Sequence, residues 1–215
     1  MRFSLYIYLI IIMFISLIFN LFINRLYKIG YLKVIIFTVF STMFGALSSM
    51  IMSYIESGNF TGTSFFGAVF LTPIFVCGLS IILKEEKWKL LNLTSFLGMI
   101  TSAVLKYRCY SFGCCSGRPI LLENYYFIFP SQIVEMLFAI FIFFLLLILL
   151  FMNNNRKDLY PIAMIVYGIG RFILNSFRRT TPIIGFMAYG HIWSILSVII
   201  GIIWLFILYN KKCNE

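Results

Sequence analysis

The chain has 215 residues, 62% of them hydrophobic and 11% charged, with a formal net charge of +10. A water-soluble domain of this size cannot bury that much apolar side chain, so lipid is the solvent for most of its surface. The length allows one membrane domain, 1–215, with no soluble domain beside it. The positive charge does not point to nucleic acid, because the cations sit in short segments between apolar runs, where lysine and arginine set topology.

Seven runs reach the roughly 20 residues that a spanning helix needs. They are expected near Leu5–Ile23, Val34–Tyr54, Phe65–Leu83, Leu90–Leu105, Ile133–Met152, Pro161–Phe177 and Ile183–Leu208. Backbone groups in lipid must pair internally, so an all-α polytopic fold is expected. The first run is longer than a signal-peptide core and lacks a small-residue cleavage site, so it reads as a retained helix.

Alternate loops and the C-terminal tail carry Arg25, Lys28, Lys33, Lys84, Lys87, Lys89, Arg156, Lys157, Lys211 and Lys212, ten of the seventeen cations. The excess of cations on the cytoplasmic side then puts the N-terminus outside and the C-terminus in the cytoplasm. Apart from Arg2, the cations of the outer face gather in two polar stretches, with outer loops expected at 106–129 and 177–182. Lys106–Pro119 (KYRCYSFGCCSGRP) carries Lys106, Arg108 and Arg118, and Tyr167–Arg179 (YGIGRFILNSFRR) carries Arg171, Arg178 and Arg179. Topology disfavours cations there, so another requirement places them.

Arg171 falls within the sixth span, where an unpaired guanidinium is costly. Tyr167 lies four residues before it and Arg178 seven after, so the three share one helical face. Such a stripe can grip phosphate through bidentate guanidinium forks. Two alternatives stand beside that reading: an intramembrane ion pair with Glu135, and anchoring of the helix end at the headgroups. Glu135 follows Phe129-Pro130-Ser131-Gln132 at the start of the fifth span and wants a cation, with Arg171 or Arg108 as candidates. Glu56 and Glu123 read as outer-loop residues with no evident partner.

Cys109, Cys114 and Cys115 lack the pair spacing and further ligands of a zinc site, and the one histidine, His191, is distant in sequence, so no metal is expected. Packing is the commonest role for such cysteines, and a disulfide at Cys109 is open on an oxidising face. Cys77 reads as packing within a span, and Cys213 is uninformative. His191 opens the last span; an interfacial side chain and a catalytic base are both open to it.

In order and content, four pieces resemble the prolipoprotein diacylglyceryl transferases, bacterial seven-helix membrane enzymes. GTSFFGAV at Gly62–Val69 resembles the small-residue loop and helix start after the second span. KYRCYSFGCCSGRP resembles the arginine- and glycine-rich signature loop, FPSQIVE at Phe129–Glu135 the proline-serine-glutamine motif, and YGIGRFILNSFRR with GHIWS at Gly190–Ser194 the last two motifs. The likeness runs from about residue 60 to the C-terminus and weakly over the first two helices.

The resemblance implies transfer of diacylglyceryl from phosphatidylglycerol to the cysteine thiol of a lipoprotein precursor at the outer leaflet of the bacterial plasma membrane. Glycerol phosphate is released, and no metal or soluble cofactor takes part. It assigns an essential arginine to Arg171, its neighbouring tyrosine to Tyr167, a second arginine to Arg178, and the glutamine and acidic residue to Gln132 and Glu135. Phospholipid binding falls to Lys106, Arg108, Arg118, Arg171, Arg178, Gln132 and Asn175.

Five positions depart from the family pattern. Phe66 stands where the family has a functionally important histidine, and Lys106 stands for the signature arginine, with Arg108 nearby as a substitute. Asn175 stands for an acidic residue, Phe129 for a histidine and His191 for a glutamine. The phosphate-binding half is thus mostly present and the thiol-activating half altered. His191, Glu135 or Tyr167 can take over as base, the thiol can be activated without one in the positive field, or activity is lost. The alternative class is a non-catalytic relative that binds anionic phospholipid or a lipoprotein precursor. A small transporter would want an inverted repeat, and none is visible.

Overall fold

The computed structural model describes residues 2–58, 63–122, 125–153, 156–179, 183 and 187–213. Gly62, Glu123, positions 180–182 of the second polar stretch and positions 184–186 of the expected last span lie outside the described residues, as do the side chains of Arg2, Lys211, Lys212 and Cys213.

The helices are α1 (Arg2–Tyr27), α2 (Tyr31–Ser57), α3 (Phe65–Leu83), α4 (Lys87–Ser111), α5 (Ser131–Met152), α6 (Leu159–Ser176) and α7 (Tyr189–Cys213). All seven are long and apolar enough to cross a membrane. Two differences from the expected spans matter. α4 runs on to Ser111, so Lys106, Arg108 and Cys109 are helical and not in a loop. The last helix starts at Tyr189; before it Ile183 N–H donates to the Met187 carbonyl at 2.8 Å, and neither residue is helical, where helix was expected. One element was unforeseen: a hairpin of β1 (Pro119–Leu122) and β2 (Tyr125–Ile128) between α4 and α5.

α4 is the hub. It packs against α1, α2, α3, α5 and α6. Its composition explains the position: Asn92, Thr94, Ser95 and Ser102 are all buried on it, together with Leu90, Leu93 and Phe96. Serine and threonine can satisfy their hydroxyls on the preceding turn, as Thr94 does on the Leu90 carbonyl at 2.8 Å and Ser95 on that of Asn92 at 2.6 Å. Small residues also let helices approach in lipid, where packing replaces the hydrophobic drive. At Gly67 a Cβ would sit 2.1 Å from the Ser48 carbonyl oxygen, so α2 and α3 touch backbone to backbone. By contrast α5 and α7 turn Phe141, Phe144, Ile148, Ile202, Ile203 and Phe206 outward. These are lipid-facing side chains by composition.

At one end of the bundle the C-termini of α2, α4 and α6 meet the N-termini of α3, α5 and α7. Both polar stretches reach this end, where the hairpin lies between α4 and α5 in the chain.

Candidate functional site

The site is built around one carboxylate. Glu135 lies in the second turn of α5 and is only 5% exposed. Its Oε2 is in contact with both Lys106 Nζ of α4 and Arg171 Nη1 of α6. Arg178 Nε stands 3.5 Å from Oε1. Three cations therefore share one buried anion. A single pair would be neutral; here two positive charges remain over at the cluster. Desolvated charge of that kind is costly unless a further anion joins it. Arg171 is itself 9% exposed, and its Nε has no hydrogen-bond partner among the described residues.

The expected stripe on α6 is present. Tyr167, Arg171 and Asn175 are all buried on one face. Arg178 lies just past the helix end, where its N–H donates to the Asn175 carbonyl at 3.1 Å and carries the turn onward. Ion pairing with Glu135, one of the alternatives, is what Arg171 makes. Arg108 makes no such pair: its guanidinium lies over the Phe112 ring at 5.4 Å. Lys106 takes that place because α4 does not stop at Leu105.

Tyr167 is packed edge-on by Phe65 at 5.0 Å and tilted against Phe66 at 5.8 Å between ring centroids. Its hydroxyl is hydrogen bonded with that of Ser102. Phe66 is 4% exposed, so the position offers no protonatable group. Asn175 Nδ2 has no partner among the described residues and lies against Gly190. His191 is buried and engaged elsewhere. Its Nδ1 accepts from Ala188 N–H at 3.2 Å, which leaves the proton on Nε2, 3.4 Å from Ser176 Oγ. Its ring stands edge-on to Phe172 at 5.2 Å. His191 thus joins the start of α7 to α6, and it contacts neither Glu135 nor Arg171.

Sequence reasoning missed Glu56. It sits at the end of α2, and Ser64 Oγ donates to its Oε1 at 2.6 Å across the turn into α3. It lies within electrostatic reach of Arg171 and Arg178. No local signal predicts this, because only the docking of α2 and α3 brings it there.

The loop after α4 is tied down by the proline-serine-glutamine segment. Ser131 Oγ donates to the Cys115 carbonyl at 2.8 Å, and Gln132 Nε2 to that of Cys114 at 2.6 Å. Gln132 therefore positions the loop. Arg118 N–H donates to the Phe177 carbonyl at 2.8 Å and its Nε to that of Arg178 at 3.0 Å. Gly117 pairs with Arg178 in an antiparallel bridge. A Cβ at Gly117 would lie 2.2 Å from the Phe129 carbonyl oxygen, so only glycine fits. Phe129 stacks on Phe177 at 5.0 Å. The loop thus bridges α5 and the end of α6, which fixes Arg178 next to Glu135. Arg118 and Arg179 are exposed at this rim.

Cys109, Cys114 and Cys115 converge, with their sulfurs within 4.8 Å of one another. The Cys115 thiol is pulled down to about 5 by a hydrogen bond from Cys109 and by Arg178 and Lys106, against the opposing effect of burial. Below Tyr167, a cavity of about 100 Å³ opens between α2, α3, α4 and α6. Gly45, Ser49, Phe65, Thr72 and Thr101 are among the residues that line it.

The family model for prolipoprotein diacylglyceryl transferase matches residues 3–207, nearly the whole chain. No curated protein matches.

Proposed function

The chain belongs to the prolipoprotein diacylglyceryl transferase family, and on that premise we propose that it moves the diacylglyceryl group of phosphatidylglycerol onto the cysteine thiol of a lipoprotein signal sequence. The observation that carries this reading is the buried three-to-one cluster of Lys106, Arg171 and Arg178 around Glu135. The donor headgroup is a phosphodiester, and its departure leaves additional negative charge on phosphate. Preorganised cations that outnumber the carboxylate they share stabilise that charge as it develops.

Each residue then has a part. Arg171 and Arg178 hold the phosphate, with Lys106 adding a third charge. Glu135 aligns Lys106 and Arg171 and keeps both side chains extended toward one point. Tyr167 flanks the cluster where the apolar cavity begins, a suitable boundary between headgroup and acyl chains. Arg108, Arg118 and Arg179 add positive potential at the rim, which draws anionic lipid. Asn175 offers an amide donor. The site faces the outer leaflet of the bacterial plasma membrane, with the N-terminus outside and the C-terminus in the cytoplasm, a reading that the distribution of loop cations supports. Metal and cofactor play no part in the phosphate half of the reaction.

A second reading is favoured by Phe66, an apolar side chain where the family pattern has a histidine. On that reading the chain binds anionic phospholipid or a lipoprotein precursor without turnover. Intact-mass analysis separates the two. Protein in phosphatidylglycerol vesicles is incubated with a signal peptide that contains its cysteine. Transfer adds one diacylglyceryl mass to the peptide with wild type and none with Arg171→Ala. Absence of any gain, with lipid still bound by folded wild type, establishes the binding relative.

A further inference from the structure

The transfer needs a group that takes the proton of the acceptor thiol, and the cation cluster does not supply one. Both oxygens of Glu135 face cations. Tyr167 is a phenol tied to Ser102. His191 carries its proton on Nε2 beside Ser176. Phe66 has no basic atom, and the amides of Gln132 and Asn175 are not bases. Glu56 is left over.

Glu56 lies in the last turn of α2 and is half-buried. Ser64 Oγ donates to its Oε1 at 2.6 Å, and Ser64 N–H donates to the Ser49 carbonyl at 3.0 Å, so the turn into α3 is held on α2 at two points. The indole of Trp193 on α7 lies within reach of the carboxylate, and its Nε1 is otherwise without a partner among the described residues. Arg171 and Arg178 act on Glu56 through their charge. Neither makes an ion pair with it, because both are turned to Glu135. Glu56 is thus oriented by neutral donors and left without a cation of its own. A general base needs that combination of fixed position and unclaimed lone pairs.

Its place along the lipid agrees. Thr63 and Phe65, on either side of Ser64, both line the apolar cavity, as does Tyr167, against which Phe65 packs. With the phosphate on Arg171 and Arg178 and an acyl chain in the cavity, the glyceryl carbon falls at the boundary that Tyr167 and Phe65 mark. Ser64 ties Glu56 to that boundary. Cys115 is the other anionic group nearby, but Ser131 and Gln132 tie its loop to α5, whereas the cavity lies between α2, α3, α4 and α6.

We infer that Glu56 is the general base of the transfer and takes the proton of the acceptor's cysteine thiol as the sulfur attacks the glyceryl carbon. This rests on the transfer reading above. The S–H proton passes to a carboxylate oxygen of Glu56. The C–S bond forms, the C–O bond to the phosphate breaks, and its electron pair stays on the phosphate oxygen of the departing glycerol phosphate. Nothing is oxidised or reduced, and Glu56 returns the proton to water afterwards. Glu56 becomes neutral as the phosphate gains its second negative charge, so Lys106, Arg171 and Arg178 keep their full excess for the leaving group.

The experiment uses the full chain in mixed micelles of detergent and phosphatidylglycerol, with the signal peptide as acceptor. Glu56→Gln keeps the size of the side chain and an oxygen for Ser64, and it removes the base. At pH 6.5 its kcat should be about 100-fold or more below wild type, with the KM for phosphatidylglycerol and the melting temperature unchanged. Above the ordinary thiol pKa of about 8.5 the peptide ionises unaided, so the gap should narrow to less than about tenfold by pH 9.5. Comparing the two proteins at each pH cancels the titration of the cations they share. Ser64→Ala, which removes only the orienting bond, should cost less than about tenfold. Wild-type turnover by Glu56→Gln at pH 6.5 overturns the inference, and so does a loss that is the same at every pH, which marks a structural part in the turn. A loss recovered at high pH in Cys115→Ser and not in Glu56→Gln moves the base to the loop and overturns it too. These outcomes leave the transfer reading standing. Wild type that transfers nothing from any phospholipid refutes that reading, and the base role with it.

Discussion

The two ends of the bundle treat charge in opposite ways. At the end away from the site, the three ion pairs among the described residues each join one cation to one carboxylate. Lys33 meets Glu85 at 2.6 Å, Lys89 meets Glu86 at 2.9 Å, and Arg156 grips Asp158 through two bonds of 2.9 Å. Several of these side chains are well exposed, as Lys33 is at 40% and Glu86 at 58%. At the site end Glu135 is buried and shared by three cations. The first arrangement anchors helix ends at a partly exposed surface, where an excess of cations costs little. The second is incomplete by itself, and that separates a ligand site from an anchor when both are rich in lysine and arginine.

The largest effect should come from removing the shared carboxylate. Glu135→Ala leaves three cations unpaired in a buried place and should cost about 3–5 kcal/mol, read as lost expression or a collapse of the detergent melting temperature. Glu85→Ala at the other end should cost about 0–1 kcal/mol and leave transfer intact. Equal losses at both ends would dissolve the distinction.

Arg178→Ala comes next. Its contact with Glu135 is the longest of the three, so the fold should survive while kcat/KM falls by about 100-fold or more. Arg178→Lys should restore only part, because the ammonium lacks the guanidinium fork. A merely structural role would lower stability and activity together.

Gly117→Ala tests the strap that holds Arg178 in place. The added methyl meets the Phe129 carbonyl, so the backbone there must move; the melting temperature should fall, and activity should fall about tenfold or more. Gln132→Ala, which frees the Cys114 carbonyl, should cost about 1 kcal/mol and a smaller share of activity. The smallest effect is on labelling. Cys115 should react with iodoacetamide at lower pH than an ordinary thiol does, because the hydrogen bond from Cys109 and the charges of Arg178 and Lys106 lower its pKa. Reaction only above pH 8 would show that the neighbouring cations do not reach it.

Much of this frame is legible in the sequence, because lipid forces every long apolar run into a helix. The pairing of Arg171 with Glu135 is legible too, since few acids lie close to the apolar region at that end. Three features are not. Lys106 follows an apolar run among tyrosine, arginine and cysteine, which looks like loop composition, yet α4 continues for five residues past it. The hairpin of β1 and β2 is short, and apolar strand residues resemble the spans around them. The convergence of Cys109 with Cys114 and Cys115 depends on a left-handed residue that no spacing rule contains. In each case the missing information is a backbone direction at a helix end.

The hub position of α4 bears on how the protein is made. With Asn92, Thr94, Ser95 and Ser102 along it, this segment partitions weakly into hydrocarbon when it leaves the translocation channel alone. The strongly apolar α5 follows directly and packs against it. Insertion scales charge each polar residue at a span centre separately, so α4 should enter the bilayer efficiently only as a partner of α5. Truncation before Ser131 is then expected to leave α4 on the wrong side of the membrane, visible as accessibility of a tag placed after Ser111. The helix best suited to the middle of the finished bundle is the one least able to enter the membrane by itself.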